Sequence, residues 1–289
     1  MTILVVGAGG RLGKEFMDRL ASLDDVAGLT HAGLDLTDSL AVERKVLELE
    51  PTVVINCAAQ SHVDACEQDR DLAYRINVLG ARNVAHAACK VAAKVVHFST
   101  DYVFDGTADH QYVEWDAPDP INWYGRTKLM SEEATVRANP DHLILRISYV
   151  YGAHGDSPVT RVVDAARTGE PLTLPDDQIM SPTSAAEIVQ QTMLLAQRGA
   201  VGVYHVTGKG QTSRYEFGRA VADMLHLDAP LLAAHAADIP GRVPRPLCTP
   251  LAHEHLRLEG QDMMSDWDQA LYEFITDHKR TLLHGGETS

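Results

Sequence analysis

An α/β fold with a doubly wound parallel sheet is what this sequence predicts, and three observations lead to it. The chain opens on an apolar run, a glycine-rich turn and a helical stretch, "TILVVGAGGRLGKEFMDRLA" (2–21). Apolar runs then alternate with helical segments as far as Gly152, the order that βαβ units produce. The runs are continuously apolar, as strands covered on both faces are. Beyond Gly152 the texture changes, which separates a dinucleotide-binding-sized unit, 1–150, from a smaller second domain formed mainly by 151–289.

The elements follow in order. The run before Gly7 is the first strand, and "VAGLTH" (26–31) is a weaker strand candidate. "TVVINCAA" (52–59) is a strong one, "LAYRINVLGARNVAHAACK" (72–90) a helix and "KVVHFST" (94–100) a strand. "YGRTKLMSEEATVRA" (124–138) reads as a helix and "HLILRISYVYG" (142–152) as one strand. Pro158, Pro171, Pro175, Pro182, Pro230, Pro240, Pro244, Pro246 and Pro250 then cut the chain into short elements. Helices remain at 184–198 and 213–225, with a strand at 202–208, and the segment of about 181–210 is expected to return to the first unit. Ser184 and Ser213 are the expected N-caps, Ser213 with Glu216 as a capping box. The final "HGGETS" (284–289) reads as a frayed tail.

Composition narrows the function. A chain of 289 residues with 45% hydrophobic and 22% charged content buries an ordinary core. A formal charge of −15 argues against nucleic-acid or anionic-membrane binding, while leaving room for a phosphate-bearing small ligand. "MTILVVGAGG" lacks a basic leader region, and no run approaches the ~20 apolar residues of a membrane span. Cys57, Cys66, Cys89 and Cys248 have no CxxC spacing, so reduced cytoplasmic thiols are expected. "AHEHL" is not HExxH, and nothing points to a catalytic metal.

Gly7, Gly10 and Gly13 give G-x-x-G-x-x-G between the first strand and helix, with Arg11 and Leu12 opening the helix. Such a Rossmann-type loop lets the backbone approach a pyrophosphate, and the helix N-terminus offers N–H groups to it. The second strand ends near Thr30 and His31 with no carboxylate to hold a ribose 2′-hydroxyl, so NADPH is expected, with NADH tolerated. His31 is a candidate for a 2′-phosphate; Asp35, Leu36 and Asp38 follow on the adenine side. "HFSTDYVFDG" ends an apolar strand with Ser99, Thr100, Asp101 and Tyr102, at the strand end where ligands of such sheets lie. Tyr124 and Lys128 follow one helical turn apart.

The glycine loop, the hydroxyl residue and YxxxK together resemble the extended short-chain dehydrogenase/reductase superfamily. "INCAAQSHVDACEQD", "NVLGARN", "STDYVFDG", "YGRTK", "RISYVYG", "QIMSPTSA" and "RPLCTPL" resemble, in order, stretches of the dTDP-4-dehydrorhamnose reductases, across about residues 1–255. The resemblance implies reduction of the 4-keto group of a dTDP-4-keto-6-deoxy sugar, with Thr100, Tyr124 and Lys128 as catalytic triad and 151–289 mainly binding substrate. Tyr124 would protonate the developing alkoxide, and the Lys128 cation would lower its pKa. Cys57, Ala58, Ala59, Asn77 and Ser99 fall on the cofactor side, Asn77 ordering the active-site backbone. Val63, Asp101 and Tyr102 fall on the substrate side, with Arg242 and Arg245 as candidates for the diphosphate. Some members hold Mg²⁺ at a homodimer interface, where Glu15 and Glu187 correspond. Tyr149 replaces a usual Trp and Met180 a usual Gly, while Thr249 and Pro250 also depart, so the sugar is open. A regulatory subunit resembling the methionine adenosyltransferase beta subunit, and a sugar-nucleotide epimerase, are the competing readings.

Overall fold

The computed structural model describes residues 1–284. Strand β1 (Ile3–Val6) leads through the glycine turn into helix α1 (Arg11–Arg19), then β2 (Val26–Leu29), α2 (Ser39–Leu49) and β3 (Val53–Asn56). Short helices α3 (Val63–Gln68) and α4 (Arg70–Tyr74) run into a π-helical turn, Arg75–Gly80, and on into α5 (Ala81–Lys90). β4 (Lys94–Thr100), α6 (Trp123–Ala138) and β5 (His142–Ile147) complete the first half. The second half holds β6 (Val150–Tyr151), α7 (Pro158–Thr168), β7 (Leu172–Pro175), β8 (Ile179–Met180), β9 (Thr183–Ser184) and α8 (Ala185–Gln197). It continues with β10 (Gly202–His205), β11 (Thr212–Ser213), α9 (Arg214–Leu225), β12 (Leu231–Ala234), α10 (Glu254–Leu258) and α11 (Trp267–His284).

The main sheet has the order β10-β5-β4-β3-β1-β2, with every pairing parallel. Because side chains alternate along a strand, Ile3 and Val5 face one side and Leu4 and Val6 the other. The first side is closed by Phe16 of α1 and by Ile188 and Leu195 of α8. The second is closed by Val42 and Val46 of α2 and by Val84 and Ala88 of α5. Coverage on both faces is the physical reason the strands read as unbroken apolar runs. A separate core joins Val162 of α7, Phe217 and Val221 of α9, and Leu271 and Phe274 of α11.

Several expectations are corrected here. The stretch 142–152 is not one strand: β5 stops at Ile147, Tyr149 takes φ +40°, and β6 pairs with β9 instead. The helix of 72–90 is interrupted by its π turn, which carries Asn77. Ser184 begins α8 without a side-chain cap. Ser213 does accept from the Glu216 N–H, while the reciprocal capping box appears at Ser157 and Thr160, opening α7. Of the expected tail, only His284 is described, as the end of α11; 285–289 lie outside the described residues. None of the described helices is long and apolar enough to cross a membrane.

Candidate active site

The sheet order reverses between β1 and β3, and ligands of doubly wound sheets sit at that reversal, beyond the strand carboxyl ends. A cleft of about 530 Å³ opens there, lined by the turn of Gly7 to Gly10, by His31, Asp35 and Leu36, and by Cys57, Ala58 and Ala59. Gly7 holds φ +78°, and a Cβ there would lie 2.6 Å from the Ala58 nitrogen. No L side chain fits that bend, so the backbone itself forms the floor of the cleft. α1 starts at Arg11 with Gly10 as its N-cap, which aims free N–H groups at the cleft. This glycine cradle beneath a helix N-terminus fits a dinucleotide pyrophosphate. Asp35 is held below the usual carboxylate range by the backbone and side chain of Thr37. Asp38 is spent elsewhere, capping α2 through the Leu40 and Ala41 N–H groups.

A second cavity of about 510 Å³ shares Gly10, Cys57 and Ala59 with this cleft and adds Arg11, Leu12, Ser99, Thr100, Tyr124 and Lys128. Asn122 caps α6 by accepting the Gly125 N–H at 2.9 Å, which sets Tyr124 and Lys128 in the first two turns. A Cβ on Gly125 would collide with the Tyr102 carbonyl, so glycine is what lets the helix start lie flat on the loop after β4. Thr100 is held at the end of β4, its oxygen accepting the Tyr102 N–H at 3.2 Å and its hydroxyl donating to Asp101 at 3.0 Å. Ser99 lines the cavity too, but its hydroxyl donates to Glu132.

Electrostatics revise the expected tuning. Burial is the main influence on Tyr124 and pushes its phenol well above the ordinary tyrosine value; Thr100 works against the shift and Asp101 adds to it. The expected lowering by Lys128 is not found. Burial instead lowers Lys128 itself to about 8, with Glu132 and Cys66 acting in the opposite direction. The Lys128 ammonium nitrogen lies 3.3 Å from His97 Nε2.

A third cavity, about 580 Å³, shares Thr100, Asp101, Tyr124, Tyr149, Arg161 and Arg214 with the second and adds Val63, Tyr102, Met180, Arg242 and Arg245. Asp101 is raised by burial even though Thr249, Ser148 and Thr100 all donate to it. Arg245 does not present a free cation: it pairs with Asp64 at 2.7 Å and donates to the Val243 carbonyl. Among the described residues, Arg161, Arg214 and Arg242 make no ion pair, and Arg242 is pushed down by burial and by the neighbouring Arg245 and Arg214. Arg214 opens α9, donates to the Tyr102 hydroxyl at 2.7 Å and lies 4.8 Å over the Tyr149 ring. The sequence reading missed Arg161 and Arg214, since neither belongs to a local motif; each reaches the cavity only through the packing of α7 and α9.

Asn77, Glu15 and Glu187 are each engaged by neighbouring groups. Asn77 does not line the cofactor cleft; it accepts the Gln60 N–H at 2.8 Å and donates to the Gln60 carbonyl and to Thr127, so it fixes the cleft wall. Glu15 pairs with Arg19 at 2.6 Å, and Glu187 accepts the Ser265 N–H through Oε1, while its Oε2 has no partner among the described residues. The one cluster of three metal-ligating groups among the described residues is Asp176, Asp177 and His235, which includes neither glutamate.

With this geometry in hand, similarity to known proteins is informative. A family model described as the RmlD substrate binding domain matches residues 1–280. The spore coat polysaccharide biosynthesis protein SpsK of Bacillus subtilis (strain 168) is 34% identical over 276 residues, 95% of this chain and 97% of its own. The dTDP-4-keto-6-deoxy-D-glucose reductase of Streptomyces niveus is 35% identical over 271 residues, covering 93% and 94%. The crystal structure of dTDP-4-dehydrorhamnose reductase from Bacillus anthracis str. Ames in complex with NADP superposes with a TM-score of 0.93 at 34% identity, over 96% of this chain and 100% of that one. A family match along nearly the whole chain, on a site that joins a dinucleotide cleft to Thr100, Tyr124 and Lys128, places this protein in the dTDP-4-dehydrorhamnose reductase (RmlD) family.

Proposed function

We propose that this protein is an oxidoreductase that reduces the 4-keto group of a dTDP-4-keto-6-deoxyhexose with NADPH, accepting NADH less well. The observation that carries the reading is one continuous arrangement: a glycine cradle for a dinucleotide, Tyr124 and Lys128 beside its inner end, and unpaired arginines beyond them. Bound in the cleft, the nicotinamide supplies hydride to the C4 carbon. Tyr124, kept protonated by burial, gives its phenolic proton to the C4 oxygen as charge develops there. The Thr100 hydroxyl turns from Asp101 to that same oxygen and holds it in place. Positioned acid catalysis of this kind is worth ~10²–10⁴-fold.

Arg161, Arg214 and Arg242 bind the diphosphate, because they are the cavity's cations without an ion pair among the described residues. The Arg245 assignment is withdrawn in their favour, since its charge is matched by Asp64. Tyr149 and Met180 wall the sugar site, so they govern which hexose fits. The proposed division gives cofactor binding to 1–150 with the returning β9, α8 and β10, and substrate binding mainly to 151–289. Four free cysteines agree with a reducing, cytoplasmic setting.

The test is NADPH oxidation with dTDP-4-keto-6-deoxyglucose, supplied with and without a 3,5-epimerase. Consumption only with the epimerase identifies an L-sugar reductase; consumption without it identifies a D-sugar reductase. No consumption by protein that binds NADPH overturns the reading and favours a regulatory subunit.

A further inference from the structure

His97 sits on β4, 1% exposed, on the sheet face that α6 covers. Its protons can be counted. The Ser131 hydroxyl donates its single proton to the Lys128 carbonyl at 2.6 Å. The 2.8 Å contact between Ser131 Oγ and His97 Nε2 therefore has Nε2–H as donor. Asn56 Oδ1 accepts the Ala58 N–H, which turns Asn56 Nδ2 toward His97 Nδ1 at 3.2 Å, so Nδ1 is an acceptor. Both ring nitrogens are thus assigned, and the imidazole is neutral with its proton on Nε2. Lys128 Nζ lies 3.3 Å from that same protonated nitrogen. An ammonium there finds no lone pair, whereas a neutral amine can accept a share of the Nε2–H.

We propose that His97 is a positioning residue: locked as an Nε2–H donor, it denies the Lys128 ammonium an acceptor and makes Lys128 a ready proton source for Tyr124. The proposal rests on the ketoreductase reading. After Tyr124 gives its phenolic proton to the C4 oxygen, the phenolate is reprotonated from the Lys128 ammonium through a hydroxyl or water in the cavity that both residues line. The resulting amine regains a proton from solvent through the cavity it lines. No electron changes hands in these transfers, and each bond to hydrogen broken is matched by one formed. Burial holds His97 well below the usual imidazole value, with Lys128 acting in the same direction, so the imidazole stays uncharged through the working range.

The other groups that act on Lys128 do not supply the missing acceptor. Cys66 of α3 donates its thiol to the Gln60 carbonyl and is raised to about 11 by burial. Glu132, the nearest carboxylate along α6, is bound by Arg146 of β5 through both oxygens and also receives Ser99. Tyr124 is held neutral, and Asp101 receives three hydroxyls. His97 is the side chain whose hydrogen-bonding state decides what the ammonium meets.

Two variants move the system in opposite directions. His97→Gln keeps an N–H donor for Ser131 but offers a carbonyl oxygen to Lys128; Ser131→Ala leaves the Nε2–H pointing at Lys128 alone. With 13C-labelled lysine Cε, and the Lys128 resonance identified by its loss in Lys128→Met, the titration midpoint should rise by about 1 pH unit in His97→Gln and fall in Ser131→Ala. In His97→Gln the alkaline limb of kcat should rise with the midpoint, with kcat at the optimum down about threefold and KM for the sugar nucleotide held within about twofold. A Lys128 midpoint unmoved in both folded variants overturns the proposal. Failure of the wild type to oxidise NADPH with these sugars overturns the ketoreductase reading alone, because the titration reads His97 without turnover.

Discussion

Tyr124 is the proposed proton donor, and its burial defines what substitution should do. Tyr124→Phe keeps the ring packed edge-on against Tyr102 and removes only the proton, so kcat should fall ~10²–10⁴-fold while NADPH affinity stays near wild type. Arg242 and Arg245 should separate cleanly. Arg242→Ala removes an unpaired cation and should raise KM for the sugar nucleotide about tenfold with kcat little changed. Arg245→Ala instead strands Asp64 and should lower stability, read as a lower denaturation midpoint. Lys128 adds a pH signature. Its folded value, about 8, lies below the ordinary lysine value of 10.5, so between these the unfolded chain binds the extra proton. Folding stability therefore rises with pH across that window, and the buried cation costs most below it, on the order of 3 kcal/mol. Urea unfolding should find Lys128→Met more stable than wild type at neutral pH, with the gap narrowing as pH rises from about 8 toward 10.

At the scale of elements, the site depends on how tightly helix starts approach neighbouring backbone. Gly7→Ala would place a Cβ against the Ala58 nitrogen in a left-handed conformation, and should weaken NADPH binding at least ~100-fold by fluorescence titration. β4 and α6 are tied by polar side chains on one sheet face: His97 to Ser131 and Ser99 to Glu132, with Arg146 of β5 closing the set. These groups sit within an otherwise apolar strand, and that is why "KVVHFST" reads as a plain buried strand in sequence. The π turn at Arg75–Gly80 was equally invisible, since its helix formers also suit an ordinary helix. Its consequence is structural: it carries Asn77, whose side chain holds the Gln60 backbone.

For the whole molecule, the dinucleotide cleft lies between elements drawn from β1, β2 and β3, so occupancy should stabilise the fold as a unit. NADPH at 100 times its Kd should add about 2.7 kcal/mol and raise Tm by several degrees, and Gly7→Ala should abolish the shift. The alternation of strands and helices, the glycine loop and the Thr100, Tyr124 and Lys128 set were legible because each is local: apolar runs, a turn composition, and one helical spacing. The second half was read less well, because prolines there announce breaks without saying which pieces meet. Arg161 and Arg214 enter the site from α7 and α9, more than 30 residues beyond the last catalytic motif, and no local pattern marks them.

By itself, then, the sequence determined the α/β class and the phosphate loop, since periodicity and turn composition encode them directly, and it supplied the motifs from which Thr100, Tyr124 and Lys128 are proposed as the reacting residues. Tertiary structure alone decided which charges remain free and which protons are committed. Arg245 is neutralised by a carboxylate 181 residues away in the chain, and Lys128 is lowered rather than Tyr124. Both outcomes depend on burial and on partners distant in sequence, because the cost of a charge is set by the medium and neighbours that folding places around it.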